Sequence, residues 1–343
     1  SEDFFFFKSL QRWASILSRR PWLRRAARLL TYAVDVRRLW VEFKRDRPDI
    51  VHVQWVLVPP IDRRLLKRMV VHTPVVLTIH DAVPRRAALS HIADMRPLYQ
   101  LATRLIVHAE ENKQAVLKRS PIDPQAVHVV PHGPTFERLP ERSGAEARAA
   151  LGIGRDARVI LFFGLIKPYK GLLDLIEAAR MLVARFPHMH LLIAGKPEGP
   201  VDVYTAALAR HGLDKLTTFH PVFIPTERVP DYFAASDVVC LPYREASQSG
   251  VLLAAYRFGK PVVVTAVGAL PESVDEGSNG YVVPPANPMA LAEALGRLLA
   301  DAVLRERFGQ RSRELVRECL SWERAAELTE KVYRLALADH RGS

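Results

Sequence analysis

Only two cysteines, Cys240 and Cys319, occur in 343 residues, far apart and in no CxxC or metal-ligand spacing. That scarcity excludes a disulfide scaffold and a zinc module, and it predicts two reduced packing residues in a cytosolic protein. No apolar run approaches the ~20 residues that a membrane-spanning helix needs, and no stretch reads as a secretory signal. Repeats and low-complexity tracts are missing too, which removes solenoids and disordered arrays. A doubly wound nucleotide-type domain normally opens with a strand and a glycine-rich turn, yet nothing of that kind precedes Ile50. Either the first strand lies outside this chain, which also starts without methionine, or the domain is reduced to four strands. Truncation is the expectation.

What is present has an ordinary globular balance, 49% apolar and 25% charged. The length exceeds what one core usually fills, so two α/β domains are expected. Charge is placed unevenly. The first 150 residues carry 26 Lys+Arg against 15 Asp+Glu, so nearly all of the net +12 belongs there. Any anionic surface that the protein meets is met by its N-terminal half.

Residues 8–45 carry apolar side chains at helical spacing among arginines (Trp13, Ile16, Leu17, then Leu23, Leu29, Leu30), and Pro21 divides the run into two helices. Beyond it, short β-rich runs alternate with helical stretches. Strands are expected near Ile50–Trp55, Val75–His80, Arg104–His108 and Val127–Pro131. The second half adds Val159–Gly164, His190–Gly195, Thr217–His220, Val238–Pro242, Pro261–Thr265 and Gly280–Val283. Such alternation means parallel sheets with right-handed crossovers, hence two doubly wound domains. The apolar rhythm breaks at Pro134–Ala150, which predicts domains over 1–140 and 141–320. Residues 321–343 form a last helix, with Trp322 just inside an N-cap at Ser321, that packs back toward the first domain.

In open parallel sheets ligands bind beyond the carboxyl ends of strands. FFGLIKPYKG (Phe162–Gly171) ends a strand at Gly164, carries Lys167 and Lys170 in the loop, and opens a helix at Gly171. Two ammonium groups and a positive helix end then converge, a physical recipe for a pyrophosphate. Taken alone, KxxK would read as two solvated lysines. HLLIAGKPEG ends a second strand at Gly195, and in the loop after SDVVCLPY the residues Glu245, Ser247, Gln248, Ser249 and Gly250 precede a helix that Gly259 ends. Amides at that helix start suit anionic or hydroxyl-rich groups. GALPESVDEGSNGYVVPP adds a further strand-end turn with Glu272.

Together these stretches, from about Arg158 to Pro288, resemble the donor domain of glycosyltransferase family four, the large retaining group of GT-B fold. FFGLIKPYKG stands for its GR…KG loop, followed in order by LIAG, SDVVCLPY, FGKPVVVT, GALPE and NGYVVPP. The N-terminal half is similar more loosely, through PDIVHVQW, TIHD, LIVHAEENKQAVL and VVPHG.

The resemblance implies a GT-B architecture, two Rossmann-like domains facing across a cleft. It implies transfer of a sugar from a nucleotide-sugar co-substrate to a glycan, lipid-linked or small-molecule acceptor. Lys170 matches the family lysine on the donor phosphates. The family arginine is replaced by Leu165, with Lys167 as its substitute, and the Glu-x7-Glu pair falls on Ala246 and Ala254. Glu245 sits one residue off register, and Gln248, Ser249 and the Gly250 amide are expected to serve instead. His80 matches a cleft histidine, with Asp81 as its orienting partner; His108 and His132 also end strands. The sequence contains no DxD pair, the motif of metal-dependent sugar transferases, so no metal and no cofactor is expected.

The basic N-terminal helices read either as an anionic-membrane anchor or as ordinary amphipathic helices, and Phe4–Phe7 either as an anchor or as a core strand. The expected location is cytoplasmic, peripheral at the inner membrane face, in cell envelope polysaccharide synthesis. No nucleic-acid module accompanies the basic run. The missing carboxylates leave a second reading open, a non-catalytic scaffold on a GT-B fold, and a weaker third, a sugar-nucleotide epimerase.

Overall fold

The computed structural model describes residues 21–81 and 94–341. Helix α1 (Pro21–Asp46) leads into β1 (Val51–Val53), α2 (Pro59–Met69), β2 (Val75–Thr78), the single turn α3 (Arg96–Tyr99), β3 (Arg104–Val107), α4 (Glu110–Arg119) and β4 (Val127–Val129). The four strands pair in parallel in the order β1-β2-β3-β4. The helix expected before α1, and Phe4–Phe7, lie outside the described residues. Asp62 accepts from the amides of Leu57 and Val58, both at 2.9 Å, and from the Tyr32 hydroxyl. One buried carboxylate thus closes the start of α2 and ties α1 to it.

The second half continues with α5 (Gly144–Ala150), β5 (Arg158–Phe163), α6 (Leu172–Leu182), β6 (Met189–Ala194), α7 (Asp202–Arg210), β7 (Thr217–His220), α8 (Val229–Ala235), β8 (Val238–Leu241), α9 (Gly250–Arg257), β9 (Val262–Thr265) and β10 (Gly280–Val283). Helices α10 (Pro288–Ala300), α11 (Ala302–Glu318) and α12 (Trp322–Arg341) follow. Six parallel strands run β10-β9-β8-β5-β6-β7. Counted from β5, this is the strand order of a dinucleotide-type sheet, and it reverses between β5 and β8. All ten expected strands are present, several of them a residue or two shorter than expected.

Both faces of the six-stranded sheet are covered, which is why its central strands read as largely apolar runs. Along β5, Ile160 and Phe162 enter one core with α6 and α10, while Val159, Leu161 and Phe163 enter the other with α8 and α9. The four-stranded sheet is covered on one face by α1, α2 and α4. On its other face lies α12, whose Ala325, Val332 and Ala336 pack on Val76, Ile106 and Val130. The amide of Arg324 donates to Ser321 Oγ at 3.0 Å, the cap expected for α12. Cysteine is a partial correction: Cys240 is buried in the core, but Cys319, at the end of α11, is exposed.

Candidate active site

The reversal between β5 and β8 leaves a crevice beyond their carboxyl ends, and three glycines let backbones meet there. Gly171 has φ 67°, and a Cβ on it would come within 1.9 Å of the Pro242 carbonyl oxygen. Gly195 ends β6 with φ 151°, and a Cβ there would lie 1.9 Å from the Gly164 oxygen. Gly164 itself has φ 95°, and the space where its side chain would stand is bounded by Lys170 Nζ at 3.4 Å and Val251 at 3.2 Å. Lys170 Nζ also stands 5.0 Å over the Tyr243 ring, just beyond β8. The ammonium group is therefore held between the ends of β5 and β8, beside the first turn of α9.

Lys167 behaves differently. Its Nζ is 2.7 Å from Glu198 Oε1, so its charge is matched by the loop after β6. This acidic partner is not among the sequence expectations. A short parallel bridge between Ile166 and Pro197 brings the two loops together. Arg244 forms a bidentate pair with Asp174, at 2.8 and 2.7 Å, which fastens the loop after β8 to the start of α6. Glu245 next to it is exposed. Ser249 precedes α9, 3.4 Å from the Tyr243 hydroxyl, and Gly250 opens the helix, its carbonyl accepting from Thr135 Oγ1 at 2.8 Å. Gln248 is half-buried in the same loop. Of the two alanines at the family's carboxylate positions, Ala254 is packed in the core and Ala246 lies with its carbonyl against Gly268.

Facing this loop, the carboxyl ends of the four-stranded sheet present a row of rings, one per strand. Trp55 follows β1 and stacks on His80, which follows β2, with centroids 4.2 Å apart and 9° between planes. His80 touches His108 beyond β3, His108 touches His132 beyond β4, and His132 meets Trp322 at the start of α12. Nδ1 of His80 is 3.1 Å from Nε2 of His108, and Nε2 of His80 is 3.3 Å from Gln54 Oε1. The ring partner on Nδ1 is thus His108, and Asp81, expected as an orienting partner, adds a charge nearby. Burial lowers the affinity of His80 for a proton, and it pushes His108 down to about 4.

The two domains meet around this row. Ser247, buried in the donor-side loop, donates to the His80 carbonyl at 3.4 Å. Glu272 accepts from the amides of Glu110 at 2.8 Å and Glu111 at 2.5 Å. Motif reading missed Trp55, Tyr243 and the Glu272 contact. The ends of the strands carried the first two as aromatic residues; nothing local marks the third, because it joins residues far apart in the chain.

The descriptions of known families fit this geometry. Residues 157–301 match "Glycosyl transferases group 1", and residues 7–138 match "Glycosyltransferase Family 4". The chain is 31% identical to D-inositol 3-phosphate glycosyltransferase of Streptomyces griseus, over 92% of this chain and 73% of that protein. It is 30% identical to the enzyme of that name from Streptomyces bingchenggensis, over 92% and 72%. Among solved structures, sucrose-phosphate synthase from Thermosynechococcus elongatus superposes with a TM-score of 0.75 at 22% identity, over 91% of this chain and 79% of that one. Anabaena HepE in complex with UDP gives 0.72 at 17%, over 88% and 81%. The kinship is with catalysts and disfavours the scaffold reading. Two facing Rossmann-like domains and these relatives together place the chain in glycosyltransferase family four, the retaining GT-B enzymes that move a sugar from a nucleotide donor.

Proposed function

We propose that the protein transfers a sugar from a UDP-linked donor to a hydroxylated, anionic acceptor, with retention and without a metal ion. The observation that carries this reading is the placement of Lys170 Nζ between the ends of β5 and β8, over Tyr243 and beside the first turn of α9. As the bond between the anomeric carbon and the diphosphate breaks, negative charge grows on the leaving oxygen. An ammonium group and helix-start amides neutralise that charge in place, as a bound cation does elsewhere. Gln248, Ser249 and Gly250 stand at the same helix start, and Glu245 and Lys167 are the further donor-binding candidates. The absence of a DxD pair from the sequence agrees with this division of labour.

Support for uridine comes from HepE, a neighbour in fold that holds UDP. Support for an anionic acceptor comes from relatives named for D-inositol 3-phosphate and from the basic balance of the first 150 residues. In this reading residues 1–140 receive the acceptor, 141–320 hold the donor, and the helix from 321 ties the two. His80 faces the transferred sugar, with Asp81 adding charge nearby. Among the described residues no helix is long and apolar enough to cross a membrane. Exposed Arg37, Arg38, Lys44 and Arg45 on α1, with Val34 and Val41 also exposed, suit peripheral contact with an anionic inner-membrane face. A cytoplasmic place in cell envelope synthesis accords with that surface.

The test is donor hydrolysis and thermal shift against UDP-, GDP- and ADP-sugars, with and without a chelator. UDP release that survives chelation supports the proposal. Neither stabilisation nor turnover with any UDP-sugar overturns it.

A further inference from the structure

A histidine stands just beyond each of three strands of the first sheet, and two of those rings form a directed chain whose sense is set by a backbone carbonyl. His108 Nδ1 lies 2.9 Å from the Val130 carbonyl oxygen, which only accepts. Nδ1 of His108 therefore carries a proton. A buried, neutral imidazole has only one, so Nε2 of His108 offers a lone pair. His80 Nδ1 stands 3.1 Å from that lone pair and must be the donor.

What remains on His80 is Nε2, 3.3 Å from Gln54 Oε1, while Gln54 Nε2 lies 3.2 Å from His52 Nε2. In this orientation the oxygen suits a proton on His80 Nε2, and the neutral ring protonated at Nδ1 calls for the turned amide. A carboxamide presents oxygen at one end and N–H at the other, so a half-turn of Gln54 suits either protonation state of that nitrogen. We propose that His108 is a positioning residue: it holds the Nδ1 proton on His80 in both charge states and confines proton exchange at His80 to Nε2. The role parallels that of a carboxylate behind a catalytic imidazole, performed here by a second imidazole anchored on the main chain.

The surroundings support the assignment. Trp55 covers one face of His80 and fixes the ring plane. The titratable neighbours of His80 are His132, Asp81 and His52, and those of His108 are His80 and His132. His52 is held by the Tyr333 hydroxyl at 2.6 Å and Thr78 Oγ1 at 2.7 Å, and His132 Nδ1 by the Gly133 carbonyl at 2.7 Å. Among the described contacts neither competes for His80 Nδ1. The low proton affinity of His108, about 4, keeps it a lone-pair donor across the physiological range.

The kinetic part of this inference rests on the proposed transfer reaction; the tautomer part does not. Nitrogen-15 NMR of histidine-labelled full chain, with the His80 signal assigned through His80→Gln, reads which ring nitrogen bears the proton. The wild type is expected to show His80 protonated at Nδ1 at pH 7.5. His108→Gln keeps an acceptor near the same place and should preserve that state. His108→Phe removes the acceptor and should move the proton largely to Nε2. With the best donor found, kcat should then fall roughly tenfold or more while donor KM holds, with partial recovery in His108→Gln. A wild-type His80 protonated at Nε2, or a tautomer unchanged in His108→Phe, overturns the proposal. Should His108→Phe fail to fold, the wild-type and His108→Gln spectra still decide it. Absence of any sugar transfer would instead count against the proposed function and leave the tautomer result standing.

Discussion

Glu272 in the second domain accepts from the backbone amide of Glu111 in the first at 2.5 Å, and from that of Glu110 beside it at 2.8 Å. The residue before α4 is Ala109, which has no side chain to cap the helix, so the cap comes from across the cleft. The placement brings the Glu272 and Glu111 carboxylates together, and burial together with Glu272 raises the proton affinity of Glu111. Helix-end amides outweigh that repulsion. Their bonds to a charged acceptor are worth about 1.5–3 kcal/mol each before repulsion is subtracted.

Glu272→Ala should therefore favour the open arrangement of the domains by roughly tenfold or more. Small-angle scattering is the direct measurement, with a larger radius of gyration expected for the variant. An unchanged profile would mean that Thr135–Gly250 and the α12 contacts suffice to hold the cleft.

The two lysines of the donor loop should separate cleanly. Lys170→Ala removes the ammonium group at the strand ends, and nucleotide affinity should fall by ~1.5–3 kcal/mol, about ten- to hundredfold. Lys167→Ala should cost less than about threefold, because Glu198 already neutralises that charge and the pair is partly exposed. Glu198→Gln should tighten nucleotide binding slightly by releasing Lys167. Calorimetric titration with UDP distinguishes the three. Equal losses for both lysines would refute the assignment of Lys170 as the main phosphate group.

Fold class was legible because it depends on local periodicity. The strands stand out as short apolar runs, many of them rich in valine or isoleucine, between turn residues and helical stretches, and FFGLIKPYKG marks the crevice through its own strand, loop and helix start. The partners of the site residues were not legible. Whether Lys167 faces a ligand or Glu198 depends on how close the β6 loop comes, and that is set by Gly195 meeting Gly164. The contact of His80 with His108 was not legible either, because it joins the ends of two strands 28 residues apart. Cys319 was misread because an apolar residue type at a helix end carries no signal of exposure.

Glycine at the crevice is a requirement of backbone approach. Gly171→Ala puts a methyl group into the Pro242 carbonyl in a left-handed conformation, and Gly195→Ala does the same to Gly164. Each should cost a few kcal/mol in denaturant unfolding, well beyond the usual ~1 kcal/mol of a point substitution. Gly152→Ala, also at positive φ but with no neighbour within 4 Å, serves as the control and should cost only the conformational strain, ~1 kcal/mol. Similar losses at all three positions would show that φ alone, and not contact, sets the requirement.

The histidines of the first sheet should make it acid-labile. His52, His80, His108 and His128 all have lowered proton affinity, with burial as the main cause. For His108 the folded value is about 4 against an ordinary 6.5. Between these two pH values the unfolded chain binds more protons than the folded one, so stability falls as pH falls. The preference for the neutral ring is fully present above pH 6.5 and is lost on descent toward 4. For this one residue the loss is at most about 2 kcal/mol at pH 5 and about 3 at pH 4, since a tenfold difference in proton affinity is worth about 1.4 kcal/mol. His108→Gln cannot titrate, so its own stability should decline less steeply. Urea unfolding of both proteins at pH 7, 6 and 5 measures the difference, which should move by about 2 kcal/mol in favour of the variant over that range. A constant difference would mean that His108 takes up its proton as a solvated imidazole does, and that the ring is not shielded at the end of β3.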